Sequence, residues 1–167
     1  VAASAPMNTA RSEHTATRLL DGRVIVAGGT GADGTATTSI EEFEPVTRTF
    51  KVLALAKLME ARSDHVAVRL RSGSILFAGG VGSDGSILDS AEIYDHESET
   101  ILGGFKMTGP RTGARATLLP DGRVLLAGGR DNNGPLKTVE IFDPVAPTFK
   151  ATDLKNDMDE ARDGLSL

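Results

Sequence analysis

The segment Arg23-Val24-Ile25-Val26-Ala27-Gly28-Gly29 is the first of three closely similar segments in the chain, and this repetition indicates the fold. The other two copies are segment 74–80, which reads SILFAGG, and segment 123–129, which reads RVLLAGG. The period is about 50 residues, and self-similarity at a fixed period of this size indicates one supersecondary unit per repeat. The sequence therefore predicts a protein assembled from three copies of one unit.

Other positions recur in the same phase as the glycine pair. Each repeat has one arginine before the pair, one glycine five residues after it, then a glutamate and an aromatic residue. These positions are Arg11, Arg62 and Arg111; Gly34, Gly85 and Gly134; Glu41, Glu92 and Glu140; Phe43, Tyr94 and Phe142. A fourth arginine, Arg162, begins a further copy that stops almost at once. So many matched positions exclude a chance resemblance between the three segments.

Each copy is predicted to form four short strands. The first strand (14–19, 65–70 and 114–119) is separated from the apolar second strand by Asp-Gly or Ser-Gly, a pair typical of tight hairpins. The third strand covers 40–43, 91–94 and 139–142, and the fourth begins near Phe50, Ile101 and Phe149. Helical periodicity is absent from these segments, so the prediction is an all-β fold of four-stranded antiparallel sheets.

The glycine pairs have a structural interpretation. They end a buried strand, where a close approach of another backbone or a positive φ requires glycine. No helix and no Gly-Lys-Ser/Thr sequence follows them, which excludes a phosphate-binding loop. We therefore predict structural roles for Gly28, Gly29, Gly79, Gly80, Gly128 and Gly129.

The repeat resembles the kelch repeat in the form common among bacterial proteins. The resemblance rests on the glycine pair, on the aromatic residue of the third strand, and on the Arg-x-x-His of Arg11/His14 and Arg62/His65. The chain departs from the family pattern in two ways. The tryptophan seven residues past the aromatic is Phe50, Ile101 and Phe149 here, and the histidine of the third copy is Ala114.

The resemblance implies a kelch-type β-propeller with three four-stranded antiparallel blades. Propellers close with four to eight blades, so we expect these three to be part of a six- or seven-bladed ring, or of a ring that a homodimer closes. The expected boundaries are residues 1–10 for the end of a preceding blade, 11–58, 59–107 and 108–158 for the three blades, and 159–167 for the start of a following blade.

One end of the propeller is the predicted binding face. The loops between second and third strands open on the same side as the start of each first strand, and such loops commonly carry binding residues. This face collects Arg11, Arg62, Arg111, Asp33, Asp84, Arg130, Asp131 and Asn133. The three arginines also have a structural interpretation, in which they pair with Glu41, Glu92 and Glu140, and the aspartates of the Asp-Gly steps are predicted to form Asx turns.

Composition excludes several functional classes. The chain has no cysteine and a formal net charge of −5, so thiolate chemistry, disulfides and a basic surface for nucleic acid are excluded. Its three histidines are far apart in sequence, and no run of carboxylates has EF-hand spacing, so no metal or cofactor is predicted. No apolar run is long enough to span a membrane. The chain begins at Val1, from which we expect processing or a longer parent protein.

The favoured function is a non-catalytic interaction scaffold that binds protein or glycan. No catalytic residues are predicted, because no nucleophile–base pair is identifiable. A cysteine-linked tyrosine, as in the copper radical oxidases of similar fold, is excluded by the absence of cysteine. Two alternatives stay open: a mutarotase-like, sugar-processing enzyme whose site lies in the propeller funnel or in further blades, and a structural component of a surface assembly. The resemblance to exported bacterial proteins implies a secreted or periplasmic location.

Overall fold

The computed structural model describes residues 5–152 and 158–161. The first repeat contains β1 (Arg11–Ser12), β2 (Thr15–Arg18), β3 (Val24–Ala27), β4 (Thr30–Gly31), β5 (Ser39–Glu44) and β6 (Thr49–Lys57). The second contains β7 (Val66–Arg69), β8 (Ile75–Ala78), β9 (Ser90–Asp95) and β10 (Thr100–Lys106). The third contains β11 (Arg115–Leu118), β12 (Val124–Ala127), β13 (Arg130–Asp131), β14 (Gly134–Pro135), β15 (Val139–Asp143) and β16 (Thr148–Ala151).

Each repeat forms one four-stranded antiparallel sheet, as predicted. The strand orders are β2-β3-β5-β6 in blade 1, β7-β8-β9-β10 in blade 2 and β11-β12-β15-β16 in blade 3. Within each sheet, the four strands are hydrogen-bonded in the order in which they occur along the chain, which is the simplest way to satisfy the backbone of an all-β chain. We call the edge with the first strand the inner edge and the edge with the fourth strand the outer edge.

Two opposite ends of the blades carry the connections. The loop face contains the loops after the glycine pairs, at 30–37, 81–88 and 130–136. The hairpin face contains the first hairpins, at 19–23, 70–74 and 119–123, and the turns between third and fourth strands, at 44–48, 95–99 and 143–147. The short ladders β1-β4 and β13-β14 belong to the loop face and were not predicted from the sequence.

The core consists of two apolar layers between successive blades. One layer joins blades 1 and 2 and includes Leu19, Ile25, Leu53, Ile75 and Tyr94. The other joins blades 2 and 3 and includes Val68, Leu76, Val124, Leu126 and Phe142. Because both faces of the blade 2 sheet are covered, its second strand β8 is buried at every position and shows no alternation of apolar and polar residues.

The glycine pairs tie each blade to the next. The amide of Gly29 donates to the carbonyl of Arg62, and that of Gly80 to the carbonyl of Arg111, at 2.9 Å each. Gly79 has φ +66, and a Cβ built on it would overlap the carbonyl oxygen of Arg111 in the next blade. Glycine is therefore required at these positions for two reasons: the backbone is left-handed, and the backbone of the next blade lies too close for a side chain.

We expect Gly79→Ala to lower the free energy of unfolding by at least about 2 kcal/mol, since the left-handed conformation and the close backbone contact both oppose a Cβ. Gly85→Ala is the matched control: its φ is +81, but a Cβ there meets no atom within 4 Å. It should cost about 1–2 kcal/mol, the conformational part alone. Urea unfolding of both variants measures the difference, and equal losses would contradict an essential contact between blades.

The segments that flank the three sheets repeat one docking pattern. The amides of Leu58, Met107 and Met158 donate to the carbonyls of Thr38, Asp89 and Lys137, respectively. Met158 therefore occupies the same place on blade 3 as Leu58 and Met107 occupy on blades 1 and 2. The predicted flanking segments 1–10 and 159–167 lie partly outside the described residues, as does Arg162, so the blade boundaries stay predictions.

Candidate functional site

The once-per-repeat arginine and glutamate form an ion pair inside each blade. Nη2 of Arg11 lies 2.8 Å from Oε1 of Glu41, and Nη2 of Arg62 lies 2.8 Å from Oε1 of Glu92. Arg111 and Glu140 form the same pair. The side chains of all six residues are at most 2% exposed. The predicted structural pairing is thus present in all three blades.

The same arginines also hold the ends of the second strands. Arg62 donates through Nη1 to the carbonyl of Gly79 at 2.6 Å, and Arg111 donates to the carbonyl of Gly128 at 3.0 Å. Arg11 makes the equivalent bond to Gly28 at 2.8 Å. Each guanidinium thus satisfies a buried carbonyl as well as a buried carboxylate, which is the condition under which a buried charge is tolerated.

Each glutamate also binds the segment that enters its blade. The amides of Asn8 and Thr9 donate to Glu41, Met59 donates to Glu92, and Thr108 donates to Glu140. Burial alone would raise the pKa of Glu41, but the hydrogen bonds from Asn8, Thr9 and Arg11 outweigh it and hold the pKa below its usual value. The carboxylate is therefore ionised and engaged in the fold.

Burial separates Arg11, Arg62 and Arg111 from the rest of the predicted binding face. Their guanidinium groups are enclosed in the sheets and have no surface to offer a ligand while their ion pairs are intact. We therefore leave these three arginines out of the proposed binding surface. The remaining candidates, Asp33, Asp84, Arg130, Asp131 and Asn133, do lie on the loop face.

The loop-face aspartates form the Asx turns that the sequence predicts. Asp33, Asp84 and Asp131 accept hydrogen bonds from the backbone amides of Thr35, Ser86 and Asn133, two residues further on, at 2.7–3.1 Å. Hydrogen bonds within each turn lower the pKa of each carboxyl, chiefly from the amide of Thr35, the hydroxyl of Ser86 and the amide of Asn133. Within residues 5–152 and 158–161, no group of three or more His, Cys, Asp or Glu side chains is arranged to hold a metal ion.

An open apolar groove lies on the opposite, hairpin face, between blades 2 and 3. This groove has a volume of about 540 Å³, within the range of small-ligand and side-chain pockets. Its apolar walls are Leu70, Ile93, Leu102 and Phe105 from blade 2 and Pro144, Val145 and Pro147 from blade 3. Its charged lining residues are Arg71, Asp121, Arg123 and Asp143. Val145 is 92% exposed and Leu102 is 58% exposed.

The corresponding place between blades 1 and 2 is filled by the chain's own polar residues. Arg23 donates through Nη1 to Glu42 at 2.8 Å and through Nη2 to Asp21 at 2.7 Å. Nη2 also lies 2.6 Å from Nε2 of His96, which projects from blade 2. The recess left there measures about 220 Å³. In the groove between blades 2 and 3, the residues equivalent to Arg23, Glu42 and His96 are Ser74, Ile93 and Pro144, which form no such network.

The outer strands of blades 1 and 2 also differ in the side chains that they place between the blades. Leu53 of β6 is buried between blades 1 and 2. The corresponding stretch of β10 is shorter by two residues and contains Gly103 and Gly104. Gly104 lies between Leu102 and Phe105 of the groove wall, and a Cβ added to it would meet no atom within 4 Å. The outer strands of the two interfaces therefore differ: the first has Leu53 and Ala56, whereas the second has Gly104 and Phe105 in the corresponding stretch.

Sequence reasoning did not identify this groove, although the sequence contains two signals for it. Glu42, where the other repeats have Ile93 and Ile141, is a break in the repeat, and Gly103-Gly104 is another. Their meaning depends on which side chains of adjacent blades face each other, which the repeat pattern alone does not show.

The described residues contain no helix of the length and hydrophobicity that a membrane crossing requires.

Comparison with known proteins gives three similarities. Residues 111–150 match the family model of the kelch motif. The chain is 32% identical over 127 residues to an F-box/kelch-repeat protein of Arabidopsis thaliana, an alignment that covers 74% of this chain and 33% of that protein. Its structure is similar to the solved structure of YjhT, with a TM-score of 0.75 and 14% sequence identity, over 93% of this chain and 54% of that one.

The chain thus spans about a third of the curated relative and about half of the solved chain. At 14% identity the likeness to YjhT shows a shared fold and nothing about activity. Together with the match to the kelch motif, it confirms the predicted kelch-type propeller blades.

Proposed function

We propose, starting from the kelch-repeat family that these similarities support, that the protein is a non-catalytic interaction scaffold whose hairpin face binds a protein partner. One observation carries the proposal: the groove between blades 2 and 3 is open and apolar, whereas the equivalent place between blades 1 and 2 is filled. Exposed apolar surface of this kind is typical of a binding site. In this proposal the groove receives apolar side chains of the partner.

The lining of the groove favours a protein over a glycan. Six of the seven apolar residues that line the groove are aliphatic or proline. The seventh is Phe105, whose ring is partly packed against the core. Apolar anchor side chains in desolvated pockets supply most of the binding energy of protein interfaces. The loop-face candidates stay the predicted alternative surface. Four of them are exposed and Asp131 is partly buried; they are Asp33, Asp84, Arg130, Asp131 and Asn133.

We expect Val145→Asp to weaken peptide binding at least tenfold, because it places a charge in the apolar wall of the groove. Peptides are first selected from a randomised display library against the full chain and then titrated by calorimetry. Val46→Asp is the matched control. Val46 has the equivalent position in the turn of blade 1 and is 88% exposed, but it does not line the groove.

Equal affinities of the two variants would contradict binding at the groove. Loss of binding in Asp131→Lys, with Val145→Asp unaffected, would move the site to the loop face. A glycan array with the same protein tests a carbohydrate ligand, and a specific glycan signal that Val145→Asp abolishes would replace the protein partner by a carbohydrate.

A further inference from the structure

We propose that the groove binds an extended partner segment with an acidic residue, a leucine-type side chain and a basic residue, in this order from the inner to the outer end of the groove. The inference rests on the proposed function and specifies the chemistry of the partner. It follows from three features of the groove: a missing aliphatic side chain in its wall, a guanidinium at its inner end and a carboxylate at its outer end.

The first interface of the protein shows what fits between two blades. There, the outer strand supplies Leu53, which is 1% exposed and packs in the same layer as Ile75 and Tyr94. At the second interface the outer strand has Gly104 in the corresponding stretch and Phe105 in the place of Ala56. Leu102 and Phe105 line the groove on either side of Gly104 in the sequence. Protein interiors are close-packed, so a space that the chain itself fills with leucine at one interface suits a branched aliphatic side chain at the next.

The inner end of the groove has a cation without a carboxylate partner. Arg71 belongs to the hairpin between the first and second strands of blade 2, and its guanidinium donates to the carbonyl of Pro120 in blade 3. Within the described part of the chain, no carboxylate lies within ion-pair distance of Arg71. The equivalent residues of the other repeats, Leu20 and Pro120, are uncharged. Arg71 thus offers a site for a partner's acidic group that the other repeats lack.

The outer end has an anion without a cation partner. Asp143 belongs to the turn between the third and fourth strands of blade 3, and its Oδ1 accepts the amide of Val145 at 2.9 Å. No described basic side chain lies within 4.0 Å of it. The remaining charges of the groove, Asp121 and Arg123, already form a pair at 2.6 Å. The hydrogen bond to Asp121 is the main cause that raises the pKa of Arg123, and the charge of Asp143 adds to it at longer range.

The two unpaired charges give the groove a direction. A segment with its acidic residue at Arg71 and its basic residue at Asp143 has favourable electrostatics at both ends. A segment of the reverse order places like charges together at both ends, which disfavours a wrong partner or a wrong orientation. The apolar centre supplies affinity, and the charges select the order.

The test uses two synthetic peptides of the same composition and the full chain. One has the order acidic, leucine, basic, with spacing taken from peptides that the display library enriches, and the other has the two charges exchanged. We expect the wild-type chain to discriminate at least tenfold between them. The double variant Arg71→Glu/Asp143→Arg should reverse the preference, because both charges of the groove are exchanged. The control Leu20→Glu/Asp95→Arg, at the equivalent positions of the first interface, should keep the wild-type preference.

Each outcome decides between the two proposals. Equal binding of both peptides by the wild type, with binding still lost in Val145→Asp, would overturn the charge order but leave the interaction scaffold standing. Failure of the double variant to reverse the preference would overturn the roles of Arg71 and Asp143. Recovery of no peptide that depends on Val145 would overturn both the charge order and the proposed function.

Discussion

Arg62→Ala should lower the free energy of unfolding by about 3–5 kcal/mol, the loss expected when one partner of a buried ion pair is removed. Arg62 is 1% exposed and lies in the middle blade, where sheets cover it on both sides. Its removal takes the guanidinium donor from the carboxylate of Glu92 and from the carbonyls of Gly79 and Ser90. The amide of Met59 still donates to Glu92, and that of Gly79 to the carbonyl of Ser90. Urea unfolding followed by circular dichroism measures the loss.

Arg123→Ala is the control for this experiment. Arg123 also pairs with an aspartate, but both side chains are about half exposed, and exposed pairs contribute little. Its unfolding midpoint should match that of the wild type. The double variant Arg62→Met/Glu92→Met removes both buried charges and should regain part of the stability lost in Arg62→Ala. A midpoint for Arg62→Ala close to the wild type would contradict the structural role of the pair.

Acidification from pH 6 to pH 5 should destabilise the wild type through His65. Burial, together with the charges of Arg62 and His14, lowers the pKa of His65 from 6.5 to about 3. In the folded protein its imidazole therefore stays neutral, while in the unfolded chain it takes up a proton below about pH 6.5. Stability is fully present above pH 6.5 and is lost as the pH falls toward 3, with a slope that approaches about 1.4 kcal/mol per pH unit.

His65→Ala should remove this part of the pH dependence. Alanine is the residue of the third repeat at this position, Ala114, so the fold accommodates it. The variant is less stable at neutral pH, but its unfolding free energy should change less between pH 6 and pH 5 than that of the wild type. Thr15→Val removes the partner 2.9 Å from Nε2 of His65 but keeps the imidazole, so its slope should stay. Identical slopes for the wild type and His65→Ala would show that another group titrates.

The repeat made most of the fold predictable. Three aligned copies reveal strand length, turn position and glycine requirement independently of one another, so an error in one copy is corrected by the others. The third strands start and end within two residues of their predicted bounds. The nine-residue strand β6 was not predicted in its full length, because its pairing with β5 contains an irregularity opposite Ile40. The pairing of β10 with β9 also has an irregularity, between Leu102 and Phe105.

The candidate site was predictable to a smaller degree. Pairing of the repeated arginine with the repeated glutamate followed from their common phase, and the structure shows it in every blade. The sequence also predicts these arginines on the binding face, because their position in the repeat is near the loops. Their side chains instead point into the sheets, where the carbonyl after each second strand requires a donor.

The unit is encoded in the sequence: four antiparallel strands, a left-handed glycine pair and one buried charge pair per repeat. Every copy encodes these features, because the strands and the charge pair depend on contacts within one repeat and the glycine pair makes the same contact with each following blade. Which interface between blades is filled and which is open follows from the packing of the blades against each other. That property depends on which side chains face each other across two blades. At the first interface Leu53 packs in the apolar layer and His96 lies against Arg23. At the second interface the equivalent positions have Gly104 and Pro144, and the groove stays open.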